Sequence, residues 1–120
     1  MIKSLDDLQE ALQRFADERD WEQFHSPKNL AMALGVEVAE LAEHFQWLTQ
    51  QQSMNLAADT KQEVGEELAD ILIYLVRLAA RLNIDLLVEA EKKVKLNAKK
   101  YPVELSKGCS DRPKTGLENP

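Results

Sequence analysis

Two stretches of this chain align without a gap when one is shifted by thirty residues: LGVEVAELAEHFQWL from Leu34 and VGEELADILIYLVRL from Val64. In each, the apolar positions step by 4, 3, 4, 3: Leu34, Val38, Leu41, Phe45 and Leu48 in the first, Val64, Leu68, Ile71, Leu75 and Leu78 in the second. That spacing is the seam of a packed helix and does not suit the alternation of a strand. The repeat therefore predicts an all-α chain with two of its helices packed on each other. Gly35 falls on Gly65, and each would let the paired backbones approach closely.

The rest of the sequence extends this to four helices. The first runs from Leu5 to about Arg19, with Ser4 as N-cap and Asp7 where a capping box wants an acid. The second begins at Ser26-Pro27, a cap followed by proline at the first helical position, and continues to about Gln51. After a polar connection, Asp59 caps the third helix, Thr60 to about Leu82, which Asn83 ends. Asp85 caps the fourth, Leu86 to Tyr101, and Pro102 stops it. Residues 1–102 are read as one helical domain. Residues 103–120 carry two prolines, two glycines and no apolar stripe, and are read as a tail, flexible or docked on a neighbour.

The acids of the repeat fall in register. Glu37 matches Glu67 and Glu40 matches Asp70. At about 100° per residue, each pair flanks its apolar stripe on the same side. If the two helices pack antiparallel, four carboxylates converge at the edge of the core. They repel one another unless a cation lies between them. Oxygen ligands alone select a hard divalent ion, Mg²⁺, Mn²⁺ or Ca²⁺, with Mg²⁺ the expected one and Mn²⁺ its substitute. Mg²⁺ keeps water and accepts phosphate oxygens, so this site suits phosphate-ester or phosphoanhydride chemistry. Glu66 and Glu43 point away from the stripe and read as solvated. Glu63 shares the flank of Glu67 and is a candidate to support a ligand or to stand in for one.

Charge and composition exclude several classes. The net charge of −6 disfavours binding to long nucleic acid, which needs a basic face. No run of about 18 apolar residues occurs, so no membrane span is expected. The start MIKSLDDLQE is too polar for a signal peptide, and Cys109 stands alone. Cytoplasmic residence is the expectation.

The segments RDWEQFHSPKNLAMALGVEVAELAEHFQW, EELADILIYLVRLA and KVKLNAKKYPVE resemble the MazG-type nucleotide pyrophosphohydrolases, closest to their small single-domain branch of dCTP pyrophosphatases. The likeness covers residues 5 to about 105. Its specific core is E-x-x-E followed by E-x-x-D, here Glu37, Glu40, Glu67 and Asp70. The resemblance implies an all-α fold of the dUTPase/MazG type, assembled as homodimers or homotetramers. It also implies Mg²⁺-dependent cleavage of a nucleoside triphosphate to the monophosphate and pyrophosphate. The four acids would then be both metal ligands and catalytic residues.

On that reading Trp21 and Trp47 are the candidates to stack on the nucleobase, and Trp47 lies on the Glu37/Glu40 flank of the second helix, not in its apolar seam. Tyr74, one turn after Asp70, is placed to pack on the sugar and to disfavour a ribose 2′-hydroxyl. In the fourth helix Lys93, Asn97 and Lys100 share a flank suited to phosphates or the sugar. His25 matches a position that touches substrate. His44, one turn after Glu40, is not needed as a ligand. Strict dCTP enzymes carry a histidine in the first helix where this chain has Leu12. Ile73 lies across the third helix from its seam and predicts a second apolar surface for a symmetric partner. Two other readings remain: a phosphoribosyl-ATP pyrophosphohydrolase-like enzyme, and a non-catalytic helical interaction module whose acids are only solvated.

Overall fold

The computed structural model describes residues 1–111. Its elements are α1 (Leu5–Glu18), a 3₁₀ turn (Glu22–Phe24), α2 (Pro27–Glu43), α3 (Gln50–Ser53), α4 (Ala58–Arg81), α5 (Leu86–Lys100) and α6 (Val103–Ser106). No strand occurs among the described residues, so the chain is all-α as its periodicity predicts.

Three of the expected caps form. Ser4 Oγ accepts from the Asp7 N–H at 3.0 Å, Ser26 Oγ from Asn29 at 3.1 Å and Asp85 Oδ1 from Val88 at 3.1 Å. Each satisfies a donor that the first helical turn leaves free. Two boundaries differ from expectation. Asp59 does not cap α4: the helix starts at Ala58, after Ala57 with no side-chain cap, and Asp59 lies in the first turn. A negative charge there still suits the helix dipole. α2 ends at Glu43, not near Gln51. The chain leaves it through turns over residues 44–48, because Thr49 opens a new helix. Thr49 and Gln52 bond each other's backbone N–H reciprocally, at 3.1 and 2.9 Å, a capping box that competes with helix continuation.

The two longest helices run antiparallel. Going up α4, Glu63 meets His44, Glu67 meets Glu37, and Arg77 meets His25, so ascending positions meet descending ones. α1 packs on α4 as well. Among the described residues the buried apolar ones are Ala16, Leu30, Val64, Val76 and Ala79, drawn from these three helices. The predicted seam is only partly covered. Leu34, Leu41, Phe45, Ile71 and Leu78 are half-buried, but Val38, Leu68 and Leu75 stay 48%, 52% and 39% exposed. The glycines do not serve close approach within the protomer: a Cβ at Gly35 or Gly65 would meet nothing within 4 Å.

The chain divides into two compact units, Met1–Ile84 and Asp85–Pro120. The second holds α5 and α6, so the segment read as a tail begins with a short helix. Its residues 112–120 lie outside the described residues. No helix is long and apolar enough to cross a membrane among the described residues.

Candidate active site

The α2–α4 register brings Glu37 beside Glu67 and Asp70, with one carboxylate oxygen of each lying within 4.8 Å of the others. Glu37 and Glu67 are half-buried and Asp70 is exposed. Oε2 of Glu37 and Oε2 of Glu67 are buried with no hydrogen-bond partner. Three acids this close cannot all ionise comfortably. Glu37 takes the strain: the adjacent Glu67 carboxylate does most to raise its pKa, burial and the charges of Asp70 and Glu67 add to this, and Glu40 opposes it. Glu40 is exposed and stands outside the tightest group, in contact with it through Glu37. Orphaned, inward carboxylate oxygens with no basic partner fit a hard divalent cation. Glu63 sits one turn before Glu67, its carboxylate 3.9 Å from His44 Nδ1. Glu43 and Glu66 are exposed.

The elevated pKa of Glu37 has a testable consequence in metal-free protein. Because the folded-state value lies above the unfolded one, its stabilising effect is present at low pH and lost as pH rises through the elevated value. His25, whose pKa is lowered, has the opposite sign: its contribution is lost as pH falls. Comparison with Glu67→Gln isolates the first effect, since an amide can donate to an ionised Glu37. In EDTA, the melting temperature of Glu67→Gln should gain on the wild type as pH rises from about 4 to about 8. A constant difference across that range would show that Glu37 does not share a proton with Glu67.

Asp70 also lines a cavity of about 290 Å³ within the first unit. α1 contributes Leu12, Phe15 and Ala16, and α2 contributes Leu30. α4 adds Ile73, Tyr74 and Arg77 to Asp70, and the connection after α1 supplies Trp21 and His25. The end of α1 explains why Trp21 is there. Asp20 adopts φ 53°, the Asp20 N–H bonds the Asp17 carbonyl and the Trp21 N–H bonds the Ala16 carbonyl at 2.9 Å. This is a Schellman stop, in which the residue after the left-handed one folds back on the last helical turn. Trp21 accordingly meets Phe15 edge-on, ring centroids 5.6 Å apart.

His25 is held from α4. Its Nδ1 accepts from Arg77 Nε–H at 3.2 Å, and its carbonyl accepts from Arg81 Nε–H at 3.0 Å. Arg81 in turn pairs with Glu22 at 2.7 Å. Burial, then the charges of Arg77 and Arg81, lower the His25 pKa against a weaker opposing effect of Glu22, so the ring is neutral near pH 7.

Of the residues singled out in the sequence, Glu37, Glu67 and Asp70 come together, and Trp21, His25 and Tyr74 join Asp70 on one cavity. Trp47 does not: α2 has ended before it, and it is 87% exposed in the following turn, outside the cavity wall. Ile73, expected on an outer apolar surface, instead lines the cavity. Lys93, Asn97 and Lys100 lie on α5 in the second unit, at positions that share a helix flank. Arg77 was missed by sequence reasoning. Its signal was a lone charge inside the apolar run LIYLVRLAA.

A model of the MazG-like family matches residues 32–113. The chain belongs to the MazG-like family. The match spans both carboxylate pairs. The chain is 48% identical to dCTP pyrophosphatase 1 of Rattus norvegicus over 109 residues, and 44% identical to the human protein of that name. Those alignments cover 89% of this chain but 64% of each relative, so the chain spans less than two thirds of the curated relatives it matches. It is also similar to the crystal structure of a pyrophosphatase from Archaeoglobus fulgidus, with a TM-score of 0.78 and 38% identity, covering 85% of this chain and 95% of that one.

Proposed function

We propose that this MazG-like chain is a Mg²⁺-dependent nucleoside triphosphate pyrophosphohydrolase. It takes deoxynucleotides, dCTP among them, to the monophosphate and pyrophosphate, and so clears unwanted nucleotides from the cytoplasmic pool. The observation that carries this reading is Asp70, which belongs both to the acid cluster and to the wall of an aromatic-lined cavity. The names of the relatives support the reaction and the substrate class.

Glu37, Glu67 and Asp70, with Glu40 beside them, would hold the ion. When bound, Mg²⁺ supplies charge neutralisation for the triphosphate and lowers the pKa of a coordinated water. Attack by the water oxygen on the α-phosphorus forms one P–O bond and breaks another, and the bridging oxygen leaves with the β-phosphorus. A carboxylate of the cluster orients the water and takes up its proton. Trp21 offers a face for the base. Tyr74 lies one turn beyond Asp70 on α4, where its ring would crowd a ribose 2′-hydroxyl, which favours deoxynucleotides. Trp47 would meet the substrate on the strength of the resemblance, and Lys93, Asn97 and Lys100 on the strength of their shared flank of α5.

The test is release of pyrophosphate from a panel of deoxynucleoside and ribonucleoside triphosphates with Mg²⁺, paired with calorimetric titration of a non-hydrolysable analogue. Hydrolysis at the α–β bond, with deoxynucleotides ahead of ribonucleotides, is expected. A protein that binds neither Mg²⁺ nor the analogue and releases no pyrophosphate is a helical interaction module instead.

Homo-oligomerisation belongs to the same proposal. Val38, Leu68, Leu72 and Leu75 on α2 and α4 are 39–52% exposed, apolar surface at helical spacing that the protomer does not cover. A second copy would cover it symmetrically. Sedimentation at micromolar concentration should give a dimer or tetramer, and a 13.6 kDa species would refute it.

A further inference from the structure

Arg77 is 3% exposed, yet it lines the cavity. Its bonds go to neutral acceptors: Nε–H to His25 Nδ1 and Nη1–H to Gln13 Oε1. Nη2 is buried and has no partner. No carboxylate pairs with Arg77 among the described residues. A buried charge with unused donors is costly, and a native structure keeps one where something else satisfies it.

Position along α4 indicates what that is. Asp70, Tyr74 and Arg77 are spaced four and three residues apart and so share one face of the helix. Arg77 stands seven residues beyond Asp70, about 10 Å along the axis. With phosphates at the acid cluster and the sugar at Tyr74, Arg77 falls where the base ends. Trp21, beside His25 with ring centroids 6.2 Å apart, lines the same end.

Arginine can only donate. His25 Nδ1 must therefore be the accepting nitrogen, which leaves the imidazole proton on Nε2. This part of the wall is thus rich in donors, while Leu12, Phe15 and Ile73 around it offer no polar side-chain atom.

We propose that Arg77 is a specificity-determining residue that selects nucleobases bearing a carbonyl oxygen over adenine. The inference rests on the nucleotide reading above and deepens it. Cytosine, uracil, thymine and guanine each carry a carbonyl that can accept from the free guanidinium donors. Adenine has none, and its N1 and N7 flank an amino group that would set donor against donor. Gln13 and His25 hold the arginine at this end of the cavity before substrate arrives; Nη2 is buried in the free protein, so a base meets it through a small shift of the cavity wall.

The experiment measures kcat/KM for dCTP, dUTP, dTTP, dGTP and dATP on wild type, Arg77→Met and Gln13→Ala. Loss of a charge-assisted hydrogen bond corresponds to roughly 10- to 150-fold. Wild type should disfavour dATP by that factor. Arg77→Met should lose it on the carbonyl bases and leave dATP nearly unchanged, collapsing the ratio. Gln13→Ala, which frees the guanidinium, should narrow the ratio part-way. An equal loss on all five substrates would mean that Arg77 serves the phosphates or the fold, and would overturn the proposal. So would a wild type that takes dATP as readily as the others. If Arg77→Met does not fold by circular dichroism, the wild-type ratio and Gln13→Ala decide. If no triphosphate is hydrolysed, binding of free deoxynucleosides to the wild type decides: deoxycytidine and deoxyuridine ahead of deoxyadenosine sustains Arg77 as the selector although the hydrolytic reading has failed, and equal binding overturns it.

Discussion

Asp70→Asn and Glu67→Gln should each lower turnover by roughly two to three orders of magnitude, the scale on which active sites respond to loss of a charge-stabilising group. The helical fold should survive. In the absence of metal these changes relieve a cluster in which one oxygen each of Glu37, Glu67 and Asp70 lies within 4.8 Å of the others, so apo stability should hold or rise. The same loss of turnover is expected of Glu40→Gln, whose carboxylate lies one turn from Glu37 on α2 and acts on its pKa. Metal adds an independent readout. An ion at about 100 times its dissociation constant stabilises the folded state by about 2.7 kcal/mol. For a chain of this size that is a rise of about 10 °C in Tm. The rise should shrink in each variant along with turnover. Near-normal activity with Mg²⁺ in Asp70→Asn or Glu67→Gln would remove the carboxylate site from the mechanism, whatever the cluster does for stability.

What could be read from the sequence was what helical geometry fixes locally. The 3.6-residue period sets which side chains share a flank, so the alignment of Glu37 with Glu67 and of Glu40 with Asp70 is enough to place the acids beside a seam. Ser4, Ser26 and Asp85 were equally legible, because a cap depends on residues within one turn. The end of α2 was not. Apolar periodicity runs on through Phe45 and Leu48, but the Thr49–Gln52 capping box favours a fresh start, and two local signals in conflict do not declare a winner. That boundary moved Trp47 from a helix flank into a turn. The cavity was less legible still. It needs the left-handed Asp20 to fold Trp21 back on α1, and α1 to meet the face of α4 that carries Ile73 and Arg77. A period says which residues lie opposite the main seam, as Ile73 does. It cannot say whether a second copy or a cavity within the same unit will cover them.

Trp21→Ala and Trp47→Ala should separate in stability but converge in kinetics. Trp21 is 43% exposed, packs edge-on against Phe15 and lines the cavity, so truncation removes real contacts. Its cost should fall below the roughly 3–5 kcal/mol of a fully buried tryptophan. Trp47 is 87% exposed and has almost nothing to lose, so urea unfolding of Trp47→Ala should match the wild type within about 0.5 kcal/mol. A tryptophan that stacks on a base contributes about 1–3 kcal/mol. If the contact persists in the transition state, its loss lowers kcat/KM by roughly 5- to 150-fold. That reduction is expected for both variants. For Trp47 it would mean that an exposed ring with no structural duty is kept for the substrate, which meets it only in the catalytic assembly. Unchanged kinetics in Trp47→Ala would leave Trp47 an ordinary surface residue and assign base stacking to Trp21 alone. Unchanged kinetics in Trp21→Ala would be more damaging, because the nucleotide reading of the cavity depends on that ring.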